Sequence, residues 1–183
     1  MAGYNRAQAD YRQRILYENY INSKDAKGYC VFISHKDKDM DIAEEIAEYL
    51  MENDIDVYLD KNDSGLQKAV KENDSEAIVE QIQKALSVST HILALISNQT
   101  QYSWWVPYEI GYAKKGEKQI ASLLTENIAQ IPDYLKIEYI IKNAGDLKLY
   151  TENIKQETKR YGLLFESVTD VPFQLSQSIK QIR

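Results

Sequence analysis

Apolar positions along the chain change their period several times, and the changes divide it into alternating elements. Residues 29–34, Tyr-Cys-Val-Phe-Ile-Ser, form a continuous β-prone run, too short and too β-branched for a helix, which predicts a buried strand. Residues 40–53 place Ile42, Ala43, Ile46, Ala47, Leu50 and Met51 on one face and Glu44, Glu45 and Glu48 on the other, the pattern of an amphipathic helix capped by Asp39 or Asp41. Ile55, Val57 and Leu59 then alternate with Asp56, Tyr58 and Asp60 in a second strand. A helix over 75–87, with Ile78, Val79, Ile82, Ala85 and Leu86 inward, leads to a third strand at 91–96. Near Ser103 another helix begins, with Pro107 in its first turn, where a missing N–H costs least, and Lys114-Lys115-Gly116 as its basic, glycine-ended exit. A fourth strand covers 119–124, a turn or short helix starts at Pro132, an edge-like fifth strand covers 137–141, and Asp146 caps a helix running to about 161.

Three stretches are less regular. Residues 60–74 are polar and turn-forming apart from Leu66, Ala69 and Val70, and read as an unusually long loop, either functional or simply solvated. Residues 1–28 are polar and tyrosine-rich, with Tyr11, Ile15, Leu16, Tyr20 and Ile21 at near-helical spacing, which predicts a helix over 7–21 followed by a linker. Toward the other end, 162–167 reads as extended, and Leu175, Ile179 and Ile182 mark a short final helix. The chain thus divides into an N-terminal helical extension (1–28), one α/β domain (29–161) and a C-terminal extension (162–183) packing on that domain.

Five strands alternating with helices imply an open five-stranded parallel sheet with helices on both faces, because parallel neighbours need crossovers and these are nearly always right-handed. Ligands of such sheets sit outside the carboxyl ends of the strands. The loops converging there carry Ser34, His35 and Lys36; Asp60, Lys61 and Asn62; and 97–103, leading into Glu109.

Composition narrows the partners. A formal net charge of −6 provides no phosphate-tracking basic surface, which argues against nucleic acid or an anionic membrane. No apolar segment approaches the roughly 18 to 20 residues needed to span a bilayer, and the first residues lack an apolar signal core, so a cytoplasmic protein is expected. Cys30, the one cysteine, has no disulfide partner, and with His35 and His91 it gives no metal-ligand spacing; no metal or bound cofactor is expected. Nor is there a glycine-rich phosphate loop.

The densest chemistry lies in Ser103-Trp104-Trp105-Val106-Pro107-Tyr108-Glu109-Ile110-Gly111-Tyr112-Ala113. A carboxylate early in a helix feels the positive end of the dipole and is expected to stay ionised, while neighbouring aromatics offer flat faces to a ring-shaped ligand. The competing reading makes the aromatics core and the carboxylate a complement to the dipole.

Three segments, Phe32-Ile33-Ser34-His35-Lys36-Asp37-Lys38-Asp39, Ile55-Asp56-Val57-Tyr58-Leu59-Asp60 and Ser103-Trp104-Trp105-Val106-Pro107-Tyr108-Glu109, resemble in order and spacing the three boxes of Toll/interleukin-1 receptor (TIR) domains in their bacterial form. The third is the most specific: Ser103, Trp105 and Glu109 fall in register with a pattern of enzymatic TIR domains, with Val106 where cysteine is common. The resemblance implies a flavodoxin-like fold and cleavage of NAD⁺, as substrate, at its nicotinamide–ribosyl bond, an NAD⁺ nucleosidase or ADP-ribosyl cyclase activity. Many such bacterial proteins are similar to the signal-making half of Thoeris-type antiphage defence, whose nucleotide product reaches a downstream effector by diffusion. By resemblance Glu109 is catalytic. Trp105, Trp104 or Tyr102 would stack on a ring, and Ser34, His35, Lys36 and Asp60, with Ser103, would line the substrate site. The 60–74 segment corresponds to the one through which similar domains self-associate.

Water, an internal group or an added base can each capture the ribosyl group, and the residues do not choose among a hydrolysed, cyclised or exchanged product. Two other classes remain open: a non-enzymatic TIR association module, and an enzyme resembling nucleoside deoxyribosyltransferases, which would leave a covalent ribosyl adduct.

Overall fold

The computed structural model describes residues 3–8, 29–126, 128 and 131–156. Five strands, β1 (Cys30–Ser34), β2 (Asp56–Tyr58), β3 (His91–Ile96), β4 (Gln119–Leu124) and β5 (Tyr139–Ile141), form one sheet of order β2-β1-β3-β4-β5 in which every pair is parallel. Between them run α1 (Met40–Glu52), α2 (Ser64–Glu72), α3 (Ser75–Ser87), α4 (Trp105–Lys115) and α5 (Asp133–Lys136), with α6 (Ala144–Gln156) after β5. The open α/β sheet expected from the alternation of elements is the observed fold. Among the described residues no helix is long and apolar enough to cross a membrane.

Two apolar layers flank the sheet. Val31, Ile33, Leu93 and Leu95 meet Ile46, Leu50, Leu147 and Tyr150, so α1 and α6 cover one face. Phe32, Ile92, Ala94 and Ile96 meet Ile82, Leu86, Val106 and Ile110, so α3 and α4 cover the other. Burial on both faces explains why β1 and β3 read as unbroken apolar runs.

Three details differ from the sequence expectation. Residues 60–74 are not a long loop: a 3₁₀ turn at Asp60–Asn62 is followed by α2. Asp63 caps α2, its Oδ1 accepting from the Gly65 and Leu66 N–H groups at 2.9 and 3.1 Å, while the Tyr58 hydroxyl donates to its Oδ2. Asn73 ends the helix in the left-handed region (φ 53°), and Leu66 and Ala69 are buried on its inner face while Val70 is exposed. Asp39 stands at the N-cap of α1, as one of the two expected residues, but its side chain makes no cap bond; its Oδ2 accepts from the Ser97 hydroxyl at 2.8 Å. At α6 the capping residue is Asn143, whose Oδ1 accepts from the Asp146 N–H at 3.0 Å, and Asp146 answers by accepting from the Lys142 N–H at 2.9 Å, a variant of the capping box.

Residues 3–8 lie along the outer edge of β2. Asn5 forms a parallel bridge with Val57, and the Val57 N–H donates to the Tyr4 carbonyl at 3.0 Å. Arg6, buried, donates from Nε and Nη2 to Asp56 Oδ2 at 3.0 Å each and from Nη1 to the Val88 carbonyl at 2.6 Å. The expected helix over 7–21 otherwise falls outside the described residues, as do the extended run at 162–167, the final helix and the part of α6 expected beyond Gln156.

Removing one member of a buried ion pair strands the other, which typically costs about 3 to 5 kcal/mol. Arg6→Met should therefore lower the stability of the protein in urea by about 3 kcal/mol, and adding Asp56→Asn should restore part of the loss. Additive losses in the double variant would show that the pair is not coupled.

Candidate functional site

Alternation along β1 decides where Ser34 points. Val31 and Ile33 face the α1 side, Cys30 and Phe32 the α4 side, and the next step sends the Ser34 side chain toward α4. On α4, Val106, Ile110 and Ala113 form the buried stripe, and Glu109 lies within that stripe. The two meet: Ser34 Oγ donates to Glu109 Oε2 at 2.5 Å, with Ser34 1% and Glu109 6% exposed. The contact sits where β1 and β3 part and the strand order reverses, the place where open parallel sheets leave a crevice at their carboxyl ends.

Burial pushes the Glu109 carboxyl up to about 7; the Ser34 hydrogen bond opposes the rise and the charge of Asp60 adds to it. The expectation of a carboxylate held ionised by the helix dipole is corrected here. Glu109 is the fifth residue of α4, past the first turn, where the dipole fades and desolvation wins.

His35 and Asp60 flank this pair. His35 Nδ1 lies 3.1 Å from the Ile33 carbonyl, and Nε2 lies 3.8 Å from Asp60 Oδ1. Burial raises the Asp60 carboxyl, His35 lowers it, and Asp37 raises it again. Ser34, His35, Asp60 and Glu109, from three segments of the chain, are thus brought together.

The other expected site residues make no hydrogen bond or ion pair with that cluster among the described residues. Lys36 is half-buried, and its carbonyl accepts from the Asp39 N–H at 2.7 Å. The Ser103 hydroxyl accepts from the Val106 N–H at 3.2 Å and so helps start α4. Trp105, 40% exposed, packs edge-on against Tyr108 at 6.1 Å between ring centroids, and Tyr102 is exposed. Trp104 is 91% exposed, so it is no core residue; it precedes α4, where helical spacing does not apply.

Sequence reasoning missed two supports of the site. The Asp39–Ser97 hydrogen bond ties the loop after β1 to the loop after β3, and Thr100 Oγ1 accepts from the Ser97 N–H at 2.9 Å. Asn5 Oδ1 accepts from the Leu59 N–H at 3.2 Å, one residue before Asp60. Partners so far apart in the chain leave no local pattern. Cys30 is buried, its thiol pushed up to about 11 by that burial, and it lies among core residues. Among the described residues no three His, Cys, Asp or Glu side chains are grouped to hold a metal ion.

Comparison with known protein families matches residues 31–156 to the TIR domain. The chain belongs to the TIR family. No curated protein matches it. The matched span runs from β1 to the end of α6 and takes in Ser34, His35, Asp60 and Glu109, so the whole cluster lies within the TIR domain.

A carboxyl that ionises near 7 when folded and near 4.5 when unfolded binds more protons in the native state between those values. Stability contributed by the neutral side chain is then fully present below pH 4.5 and lost as pH rises through about 7. Glu109→Gln, which cannot ionise, should gain about 3 kcal/mol relative to the unaltered protein at pH 8 but only about 1 kcal/mol at pH 5. Urea titrations at the two pH values measure this, and a pH-independent difference would show an ordinary carboxyl.

Proposed function

We propose that this TIR protein cleaves NAD⁺ at the nicotinamide–ribosyl bond and releases an ADP-ribose-derived product, cyclic or linear, as a diffusible signal in antiphage defence of the Thoeris kind. The observation that carries the reading is the buried Glu109 held by Ser34 at the carboxyl edge of the sheet, with His35 and Asp60 nearby. TIR domains in general associate with themselves and bind NAD⁺.

The chemistry suits a single anionic side chain. The leaving nicotinamide is already a cationic pyridinium, so its departure needs no strong acid, and the demand is for negative charge beside an oxocarbenium-like ribose. In a pocket without bulk water that charge acts across a low dielectric, and the cationic substrate itself favours the ionised form of Glu109. Ser34 fixes the direction of the carboxylate. Trp105 supplies a ring face, and His35, Lys36 and Asp60 supply polar contacts for ribose and phosphates.

The segment spanning the 3₁₀ turn and α2 supplies the surface for self-association in this reading. Val70, 52% exposed, is its outward apolar residue, while Leu66 and Ala69 are committed to the core. A second reading, an association module without catalysis, is favoured by the exposed Trp104 and Ile137, since exposed apolar side chains suit a protein partner.

Nicotinamide release from NAD⁺ by concentrated protein, with and without an infection-derived extract, separates the two. Glu109→Gln should lower release at least about a hundredfold, equivalent to about 3 kcal/mol of lost transition-state stabilisation, with its circular dichroism spectrum retained. Trp105→Ala should raise KM more than it lowers kcat. A fully active Glu109→Gln protein overturns the catalytic assignment, and no release by the unaltered protein leaves the association module.

A further inference from the structure

Beside α4 runs an apolar groove that the described residues leave open. It lies between α4, which contributes Pro107, Ile110 and Gly111, and the segment from α5 to β5, which contributes Tyr134 and Ile137, with Ile120 of β4 also lining its volume of about 280 Å³. Ile137 is 75% and Tyr134 44% exposed. The two charged residues at the groove, Lys114 and Glu138, pair with each other, so the rest of the lining is apolar and unclaimed. Contiguous apolar surface of this kind marks a place where another segment or protein packs.

Gly111 adds a second observation. It is the seventh of the eleven residues of α4, and glycine inside a helix is destabilising relative to alanine. Nothing in the described fold requires it: its φ is not positive, and a Cβ built there would meet no atom within 4 Å. What glycine does provide is bare backbone facing the groove, open to close approach from outside the described residues.

The chain itself carries a segment suited to that approach. Residues 157–183 continue from α6, which follows β5 and runs back along the α1 face, where Lys155 Nζ donates to Asn53 Oδ1 at 3.3 Å beside the end of α1. Because all five strands are parallel, α6 ends at the amino end of the sheet. The groove reaches the same end on the opposite face: Lys114 is in the last turn of α4, Ile120 is the second residue of β4, and Ile137 precedes β5 by two positions. Crossing from one face to the other is a path of roughly 20 Å, two layers of about 10 Å each. About six extended residues span it at ~3.3 Å per residue. After Gln156 come Glu157-Thr158-Lys159-Arg160-Tyr161-Gly162, largely polar, and then Leu163-Leu164-Phe165. Residues 9–28 are placed less well, since they leave from the strip on β2 and end at the head of β1, toward the other edge of the sheet.

We infer that Leu163, Leu164 and Phe165 occupy this groove, so that the segment after α6 passes under the amino end of the sheet and packs on α4 at Gly111. The helix is then held on two sides, its inner stripe with Glu109 against the sheet and its flank against the chain's own C-terminal segment. None of this depends on NAD⁺ cleavage.

Limited digestion of the full chain with chymotrypsin tests it, with cuts after residues 161–165 timed by mass. In Gly111→Leu the new side chain enters open space and fills the groove from within, so those cuts should come at least about tenfold faster than in the unaltered protein, with an unchanged melting curve by circular dichroism. Ile137→Glu, at an exposed position, should act the same way by a smaller factor and carries the test if Gly111→Leu fails to fold. Equal cutting rates in all three proteins overturn the docking. Faster cuts within residues 9–28 instead assign the groove to that segment, and a loss of self-association in sedimentation with the 161–165 cuts unchanged assigns it to a second copy. Either outcome overturns the C-terminal segment as occupant.

Discussion

A carboxyl buried between a strand end and a helix is the constraint on which this structure turns. Placing Glu109 in the apolar stripe of α4 costs solvation, and the single short hydrogen bond from Ser34 offsets only part of it, since the carboxyl still rises to about 7. A protein selected for stability alone would fill that position with an apolar residue like its neighbours Val106, Ile110 and Ala113. Keeping the acid there requires β1 and α4 to meet in one register, so that the last residue of β1 faces the second turn of α4. The rest of the sheet supplies that register.

That requirement explains the supports around the site. The Asp39–Ser97 bond holds the exits of β1 and β3 together, and Asn5 pins the residue before Asp60. Asp39, Ser97 and Asn5 are all buried. They fix loops that would otherwise move independently, which preserves the electrostatic arrangement without reorganisation during a reaction.

Much of this was legible in the sequence, for identifiable reasons. The runs at 91–96 and 119–124 and the helix at 75–87 coincide with β3, β4 and α3, because buried parallel strands and amphipathic helices carry strong local periods. Ser34, His35 and Asp60 were singled out by their place at strand ends, and Glu109 by its place in the aromatic-rich helix that follows β3. What was missed depends on distant partners. The helix α2 is short and polar, and its boundaries come from Asp63 and Asn73, one also bonded to Tyr58. The side-chain cap expected of Asp39 gives way to a bond with a serine 58 positions away, and the raised proton affinity of Glu109 follows from tertiary burial rather than from its place along the helix.

The strip formed by residues 3–8 has a bearing on assembly. An edge strand with free N–H and C=O groups is a template for another chain, and β2 would be such an edge. Here Tyr4 takes the Val57 N–H and the Arg6 clasp holds the strip in place, while the opposite edge, β5, is only three residues long. Sheet-to-sheet addition between copies is thereby blocked on one side and given little length on the other. Copies that gather must do so through side chains on helices and loops, contacts that form and separate reversibly rather than locking into a continuous ribbon.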